Sequence, residues 1–275
     1  MSRNTMYESP CGPGKAALIT GGSRGIGRAA ALALVRQGYD VAFTYQSARE
    51  AADETKAEIE ALGRRCFYYQ ATMQDADAPS AAVAQATADL GRLDALVTVA
   101  GVTRLYPLTE TTAERIDEMY ACNYRAMLLC AAAAAREMTG RGIRGSIVHI
   151  ASTHALVAFP TDAVYGGLKS AIVRSTKSEA LELAPHGIRV NCVAPGMISV
   201  RGPDDHANLH REWAEKVPLG RFGMAREVAE AIAFLVSDNA SYITGVTLTV
   251  DGGLSLPAMP EDASPEAGYG WGKVR

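Results

Sequence analysis

Short apolar runs alternate with longer stretches of helical period along most of the chain. Ala16–Thr20 (AALIT) is apolar at nearly every position, as a strand buried on both faces would be. A glycine-rich turn follows, then a helical stretch over Gly25–Gln37, and Gly38 punctuates before the next strand, Val41–Tyr45. Ala48–Leu62 is helical in pattern, with Gly63 as its stop. Further strands are predicted at Cys66–Gln70, Ala95–Val99, Ser146–Ala151, Arg189–Ala194 and Val246–Val250. Helices fall between them, at Ala76–Leu90, Thr112–Met138, Ala163–Leu183 and Arg226–Leu235. Strands separated by helices of this length imply βαβ units and a parallel sheet covered on both faces. Right-handed crossovers then give an α/β fold with a doubly wound parallel sheet, of the Rossmann type with about seven strands. No repeat or linker divides residues 15–256, which read as a single dinucleotide-binding domain between an N-terminal extension (1–14) and a C-terminal tail (257–275).

Two regions break the pattern. Met197–Leu219 carries Pro203, Asp204, Asp205, His206, His210 and Trp213, too polar for a core element, and is expected to be a mobile substrate lid. Pro257–Lys273 is a Pro/Gly-rich tail, open to two readings: a disordered end, or a segment anchored by Tyr269 and Trp271.

Composition narrows the function classes. A net charge of −3 gives no reason to expect nucleic acid or an anionic membrane surface as partner. No apolar run reaches the roughly 20 residues that span a bilayer, and the first fifteen residues lack the apolar stretch of a secretory signal. Five scattered cysteines without CxxC spacing imply free thiols in a reducing compartment, with the cytoplasm as the expected location. His206 and His210, near Asp204 and Asp205, are too weak a pattern for a metal site, so none is expected.

Candidate chemistry begins at Thr20-Gly21-Gly22-Ser23-Arg24-Gly25-Ile26-Gly27, between the first strand and the first helix. Gly21 permits a tight turn, Gly25 lets backbone approach a pyrophosphate, and Gly27 lets helix and strand pack closely. The helix N-terminus offers free N–H groups and a positive dipole end to phosphates. Tyr165 and Lys169 stand four apart near the start of a predicted helix, on one face and about 6 Å apart along its axis. A phenol is a poor acid near neutral pH, with a reference pKa of about 10, and an adjacent ammonium favours its ionised form. Ser152 follows the predicted strand Ser146–Ala151, at the sheet edge where ligands bind.

The Thr-Gly-x₃-Gly-Ile-Gly turn and the YxxxK pair resemble the classical short-chain dehydrogenase/reductase family, and the resemblance runs from about Lys15 to Gly253. It implies a Ser152–Tyr165–Lys169 triad: Ser152 polarises the substrate, Tyr165 moves the proton, and Lys169 also holds the nicotinamide ribose. Asn123 matches the asparagine that orients the lysine through a water. Ser23, Ile26, Gln46, Ser47, Met73, Ala100 and Gly101 are expected to line the cofactor site, with Pro195, Gly196 and Ile198 turning beneath it. Three positions depart from the family pattern. Thr72 stands where an aspartate usually contacts the adenine, Thr98-Val99-Ala100-Gly101 replaces Asn-Asn-Ala-Gly, and Val200 replaces a threonine after Pro-Gly. His154, Arg104, Tyr106 and Trp213 are candidates for the substrate pocket, whereas His149 and His186 read as structural.

These residues imply an NADP(H)-dependent oxidoreductase that moves a hydride between the nicotinamide and a ketone or secondary alcohol. The end of the second strand carries no acid until Glu50, while Arg24, Ser47 and Arg49 could meet a 2′-phosphate, so NADP(H) is expected ahead of NAD(H). A 3-oxoacyl-thioester reductase and a non-catalytic nucleotide sensor are the alternatives; the intact Asn123, Ser152, Tyr165 and Lys169 argue against the sensor. An epimerase or dehydratase would need room for a further substrate domain. Glu179 and Glu182 supply no basic patch for an acyl carrier protein, although Arg141 and Arg144 lie nearby, so a small carbonyl compound is favoured. The resemblance also implies a homotetramer with two-fold axes, built on Thr112–Met138, Ala163–Leu183 and the last strand.

Overall fold

The computed structural model describes residues 14–200, 214 and 216–256. Seven parallel strands form one sheet: β1 (Ala16–Thr20), β2 (Asp40–Tyr45), β3 (Cys66–Gln70), β4 (Ala95–Thr98), β5 (Ser146–Ile150), β6 (Arg189–Pro195) and β9 (Thr247–Val250), in the order β3-β2-β1-β4-β5-β6-β9. β7 (Ile198–Ser199) and β8 (Gly223–Met224) form a separate two-stranded pair that the hydrophobic pattern does not announce. The helices are α1 (Gly25–Arg36), α2 (Arg49–Ala61), α3 (Ala78–Leu90), α4 (Ala113–Tyr120), α5 (Ala126–Gly140), α6 (Ala163–Leu183) and α7 (Ala225–Val236).

Burial along the strands explains their composition. β1, β2, β4 and β5 are buried at every position, because helices cover both faces of a parallel sheet. The edge strands β3 and β9 are half-buried along most of their length. Alternate residues feed two cores. Ala17, Ile19, Val41, Phe43, Val97, Val148 and Val193 pack with α1 and α7 on one face. Ala16, Leu18, Leu96, Ile147 and Val190 pack with α3 and α5 on the other.

Most predicted elements differ from the observed ones by a residue or two, for local reasons. α3 starts at Ala78 rather than Ala76, with Pro79 in its first turn, where a missing N–H costs nothing. β4 stops at Thr98 because the Val99 N–H leaves the ladder for the Thr20 hydroxyl. Val246 precedes β9, and its N–H donates to Asn191 Oδ1 at 3.2 Å.

The largest departure lies within Thr112–Met138, predicted as one helix. Thr112 caps α4 by accepting the Arg115 N–H, and a π-helical turn at Ala121–Arg125 separates α4 from α5. Asn123 sits in that turn, where its Nδ2 donates to the Met119 carbonyl at 3.1 Å.

Candidate active site

The strand order reverses between β1 and β4, which opens a crevice beyond their C-terminal ends. Thr20, the last residue of β1, ties the two strand ends together: its hydroxyl accepts the N–H groups of Val99 and Ala100, both at 3.0 Å. The crevice here is braced by a hydroxyl where the family resemblance leads one to expect amide side chains after β4. Gly21 (φ +72°) turns the chain, and a Cβ there would stand 3.2 Å from the Ala100 Cα. Thr44 of β2 holds the turn from the other side, accepting Gly21 N–H on its hydroxyl at 3.1 Å and Gly22 N–H on its carbonyl at 2.9 Å. A Cβ on Gly27 would overlap the Gly21 carbonyl oxygen, so only glycine lets α1 pack this close. Arg24 at the N-cap gives α1 no side-chain cap, and among the described residues its first N–H groups are left to face the groove.

The groove has a volume of about 470 Å³. Its lining contains Gly21, Ser23, Arg24, Gly25, Ile26 and Gly27 at the turn, and Gln46 and Ser47 after β2. Met73, Ala100 and Gly101 line its middle, and Pro195, Gly196 and Ile198 its far end. Thr72 stands outside the lining, exposed in a turn where its carbonyl accepts the Asp75 N–H, while its neighbours Ala71 and Met73 face in. Thr44, Tyr45, Gln74 and Cys122 also line the groove and were missed from sequence, since nothing in their type or spacing marks them. Burial pushes the Cys122 thiol up, and the nearby Lys169 cation opposes that shift.

Arg24 and Arg49 differ sharply. Arg24 is exposed at the groove and its guanidinium bonds to no described residue. Arg49 is turned away, with Nε 3.2 Å from Asp53 Oδ2 and an NH2 group donating to Tyr68 Oη at 2.8 Å. The helical i,i+4 pairing with Asp53 corrects the expectation of a second cation at the ribose.

Asn123, Ser152, Tyr165 and Lys169 line the same groove and are all buried. Lys169 Nζ donates to the Ile150 carbonyl at 2.9 Å and lies 5.7 Å from the Tyr165 ring centroid. Ser152 lies two residues past β5 and caps a short 3-10 turn at Thr153–Ala155, its Oγ accepting the His154 N–H at 3.2 Å. Asn123 is braced: Oδ1 accepts Val102 N–H and Nδ2 donates to the Val102 carbonyl, each at 3.1 Å. A Cβ on Gly101 would stand 2.6 Å from Asn123 Oδ1, so glycine is required for this approach. The Asn123 amide thus fixes the loop after β4 to the helical turn.

Of the expected substrate residues, His154 lines an adjoining cavity of about 460 Å³. Its ring stacks on Phe159 at 4.1 Å and meets the Tyr165 ring edge-on at 5.4 Å. Nδ1 lies 2.8 Å from Asp162 Oδ2, while Asp162 Oδ1 accepts the Gly166 N–H and so caps α6. Tyr106 lines the same cavity. Arg104 lines neither space, because it pairs with Glu118 at 2.8 Å. Trp213, with His206, His210 and most of the expected lid, lies outside the described residues. No described helix is long and apolar enough to cross a membrane.

Comparison with known proteins agrees with this geometry. A family model described as Enoyl-(Acyl carrier protein) reductase matches residues 21–255. The 3-oxoacyl-(acyl-carrier-protein) reductase FabG of Staphylococcus aureus is 39% identical over 243 residues, covering 88% of this chain and 98% of that protein. L-rhamnose 1-dehydrogenase (NAD(P)(+)) of Sphingomonas sp. (strain SKA58) is 37% identical over 88% of this chain and 96% of its own length. Among solved structures, the short-chain dehydrogenase/reductase from Serratia marcescens BCRC 10948 matches with a TM-score of 0.83 at 38% identity, over 88% of this chain and 98% of that one. Acetoin dehydrogenase from Enterobacter cloacae matches with a TM-score of 0.84 at 34% identity, over 90% and 99%. The chain is an oxidoreductase of the short-chain dehydrogenase/reductase family.

Proposed function

We propose that this enzyme reduces a ketone, or oxidises the matching secondary alcohol, with NADP(H) as its preferred cofactor and NAD(H) as a weaker one. The observation that carries the reading is that Asn123, Ser152, Tyr165 and Lys169 line the same groove as the glycine turn. The uncapped α1 N-terminus and the glycine cradle fit a pyrophosphate. Bound there, the nicotinamide supplies or accepts the hydride. Tyr165 gives its phenolic proton to the carbonyl oxygen during reduction and takes it back during oxidation. Ser152 orients that oxygen by a hydrogen bond. Lys169, fixed by the Ile150 carbonyl, stabilises negative charge on the Tyr165 oxygen. Asn123 holds the loop that forms the opposite wall. Arg24, exposed and unpaired among the described residues, is the cation available to a 2′-phosphate.

A small carbonyl substrate is favoured over a carrier-bound acyl chain. The cavity beside Tyr165 is polar on one wall, with His154, Asp162 and Tyr106. Arg104 and Arg115, between β4 and the turn that holds Asn123, are paired with Glu118 and Glu110. The Staphylococcus aureus relative supports the alternative, a 3-oxoacyl-thioester reductase. The decisive assay follows NADPH absorbance with small ketones, sugars and 3-oxoacyl thioesters, comparing wild type with Tyr165→Phe. Turnover of the variant should fall by at least the roughly 10²-fold typical of lost acid–base help. Near-normal turnover would sink the mechanism, and inactivity of the wild type across the panel would favour the nucleotide sensor.

Assembly belongs to the same reading. Leu181 on α6, Ile116 and Tyr120 on α4, and Val246 and Leu248 at β9 are exposed large apolar side chains, as expected for a homotetramer with two-fold axes. Light scattering at micromolar concentration should give four chains, and a monomer would refute it. The buried free cysteines Cys66, Cys122, Cys130 and Cys192 suit a reducing cytoplasm.

A further inference from the structure

A buried polar chain crosses from the sheet to the catalytic helix. Thr98 Oγ1 on β4 lies 2.8 Å from His149 Nδ1 on β5, and His149 Nε2 lies 2.9 Å from Glu179 Oε2 on α6. His149 is fully buried and Thr98 nearly so. Glu179 is 16% exposed, and its second oxygen, Oε1, is buried without a partner. An ionised carboxylate only accepts, so Nε2 carries the proton; in the neutral ring Nδ1 then accepts from the Thr98 hydroxyl. The three groups form one directed chain, and among the described residues the carboxylate is held by its bond to His149.

That chain lies beside the contact that fixes the catalytic lysine. Ile150, next to His149 on β5, accepts Lys169 Nζ at 2.9 Å. Adjacent residues of β5 therefore grip α6 at two points, Lys169 and Glu179, about 15 Å apart along the helix. Elsewhere α6 is held by Tyr124 Oη, 2.7 Å from Ser175 Oγ, and by the Ser170 hydroxyl, which donates to the Ala155 carbonyl at 3.0 Å; the two grips from β5 set its tilt against that strand. Between them Ile172 gives apolar packing, and the Thr176 hydroxyl bonds within its own helix to the Ile172 carbonyl. Thr176 also meets the Cys192 thiol of β6, a weak sulfur hydrogen bond.

We propose that His149, held between Thr98 and Glu179, is a positioning residue that sets α6 on β5 and thereby places Lys169 and Tyr165 in the groove. The inference rests on Tyr165 and Lys169 being the proton-transfer pair. It assigns a task to the end of β4, where this chain departs from its family pattern at Thr98 and Val99.

Four variants test it with the best substrate of the carbonyl panel: His149→Leu, Glu179→Leu, the double variant and Glu179→Gln, each followed by steady-state kinetics and thermal unfolding. Each single Leu variant leaves a buried partner unpaired, so its Tm falls. Its kcat falls about tenfold, within the ~10²-fold that a misplacement of about 1 Å can produce. KM for NADPH changes by a smaller factor than kcat, because only the ribose contact of Lys169 shifts and the groove's phosphate end is untouched. The double Leu variant removes the His149–Glu179 pair and leaves only the Thr98 hydroxyl unpaired, so Tm recovers in part while kcat stays low. Glu179→Gln still accepts from Nε2–H and restores most of the kcat lost in Glu179→Leu. Recovery of kcat together with Tm in the double variant overturns the proposal, as does equal kcat in Glu179→Gln and Glu179→Leu. Tyr165→Phe runs as the control: wild-type turnover there removes the proton-transfer reading, a failure distinct from the other two.

Discussion

If NADP(H) is preferred as proposed, Arg24→Ala should leave the enzyme indifferent between the two cofactors. The guanidinium is exposed at the groove and bonds to no described residue, so removing it takes no contact from the fold. The whole effect therefore falls on the ligand. A charge-assisted hydrogen bond contributes about 1.5–3 kcal/mol, which corresponds to roughly 10- to 150-fold in affinity. Because the site is open to solvent, screening places the loss in the lower part of that range. Values of kcat/KM for NADPH and NADH, measured with one substrate, should differ in wild type and nearly converge in Arg24→Ala through loss of the NADPH value alone. Arg24→Lys keeps the charge but not the planar fork, and should fall between. Raising the salt shortens the screening length from about 10 Å at 0.1 M to about 3 Å at 1 M, so the wild-type preference should shrink with it. Arg49→Ala is the matched control and should leave the ratio unchanged, since that guanidinium is held by Asp53 and Tyr68. An equal loss for both cofactors in Arg24→Ala, or an NADH value equal to or above that for NADPH in wild type, would refute the reasoning.

Two further outcomes are expected. Gly27→Ala adds a methyl that overlaps the Gly21 carbonyl oxygen and stands 3.1 Å from the Gly22 Cα. It should cost about 1–3 kcal/mol in denaturant unfolding and weaken NADPH binding in a fluorescence titration; unchanged binding would show that the turn is not the cradle. Glu227 is the pH-sensitive anchor of α7: the Arg221 guanidinium, then the Met224 N–H, hold its carboxyl down at about 2 from an ordinary 4.5. A depressed acid contributes stability that is complete above 4.5 and is lost as pH falls toward 2. Tm should therefore drop more steeply across that window in wild type than in Glu227→Gln, and parallel curves would contradict the assignment.

The strands were legible because central parallel strands are apolar on both faces: AALIT at Ala16–Thr20 is apolar up to its last residue, and SIVHI at Ser146–Ile150 carries Ile147, Val148 and Ile150. The glycine turn and the Tyr165–Lys169 pair were legible because their chemistry fixes both residue type and short spacing. What escaped depends on partners distant in sequence. His149 gave no sign of Thr98 or of Glu179, thirty residues on. Arg49 looked free until Asp53 and Tyr68 took its guanidinium. The turn at Ala121–Arg125 was invisible for a different reason: a change from i+4 to i+5 bonding alters no residue type.

That turn acts as a phase shifter. One extra residue in a helical run rotates everything beyond it by about 100°. The apolar stripes of α4 and α5 are thus set independently, although the chain runs through without a loop. Substitutions at Ala121, Cys122 or Tyr124 leave that angle alone. Deleting a single residue there would restore continuous α-helix and swing the buried face of α5, including Cys130, Ala134 and Met138, out of register with α3. The segment therefore tolerates a change of side chain far better than a change of length. An enzyme of this kind could vary what lines the wall of its groove at Cys122 while keeping the number of residues between Thr112 and Gly140 fixed.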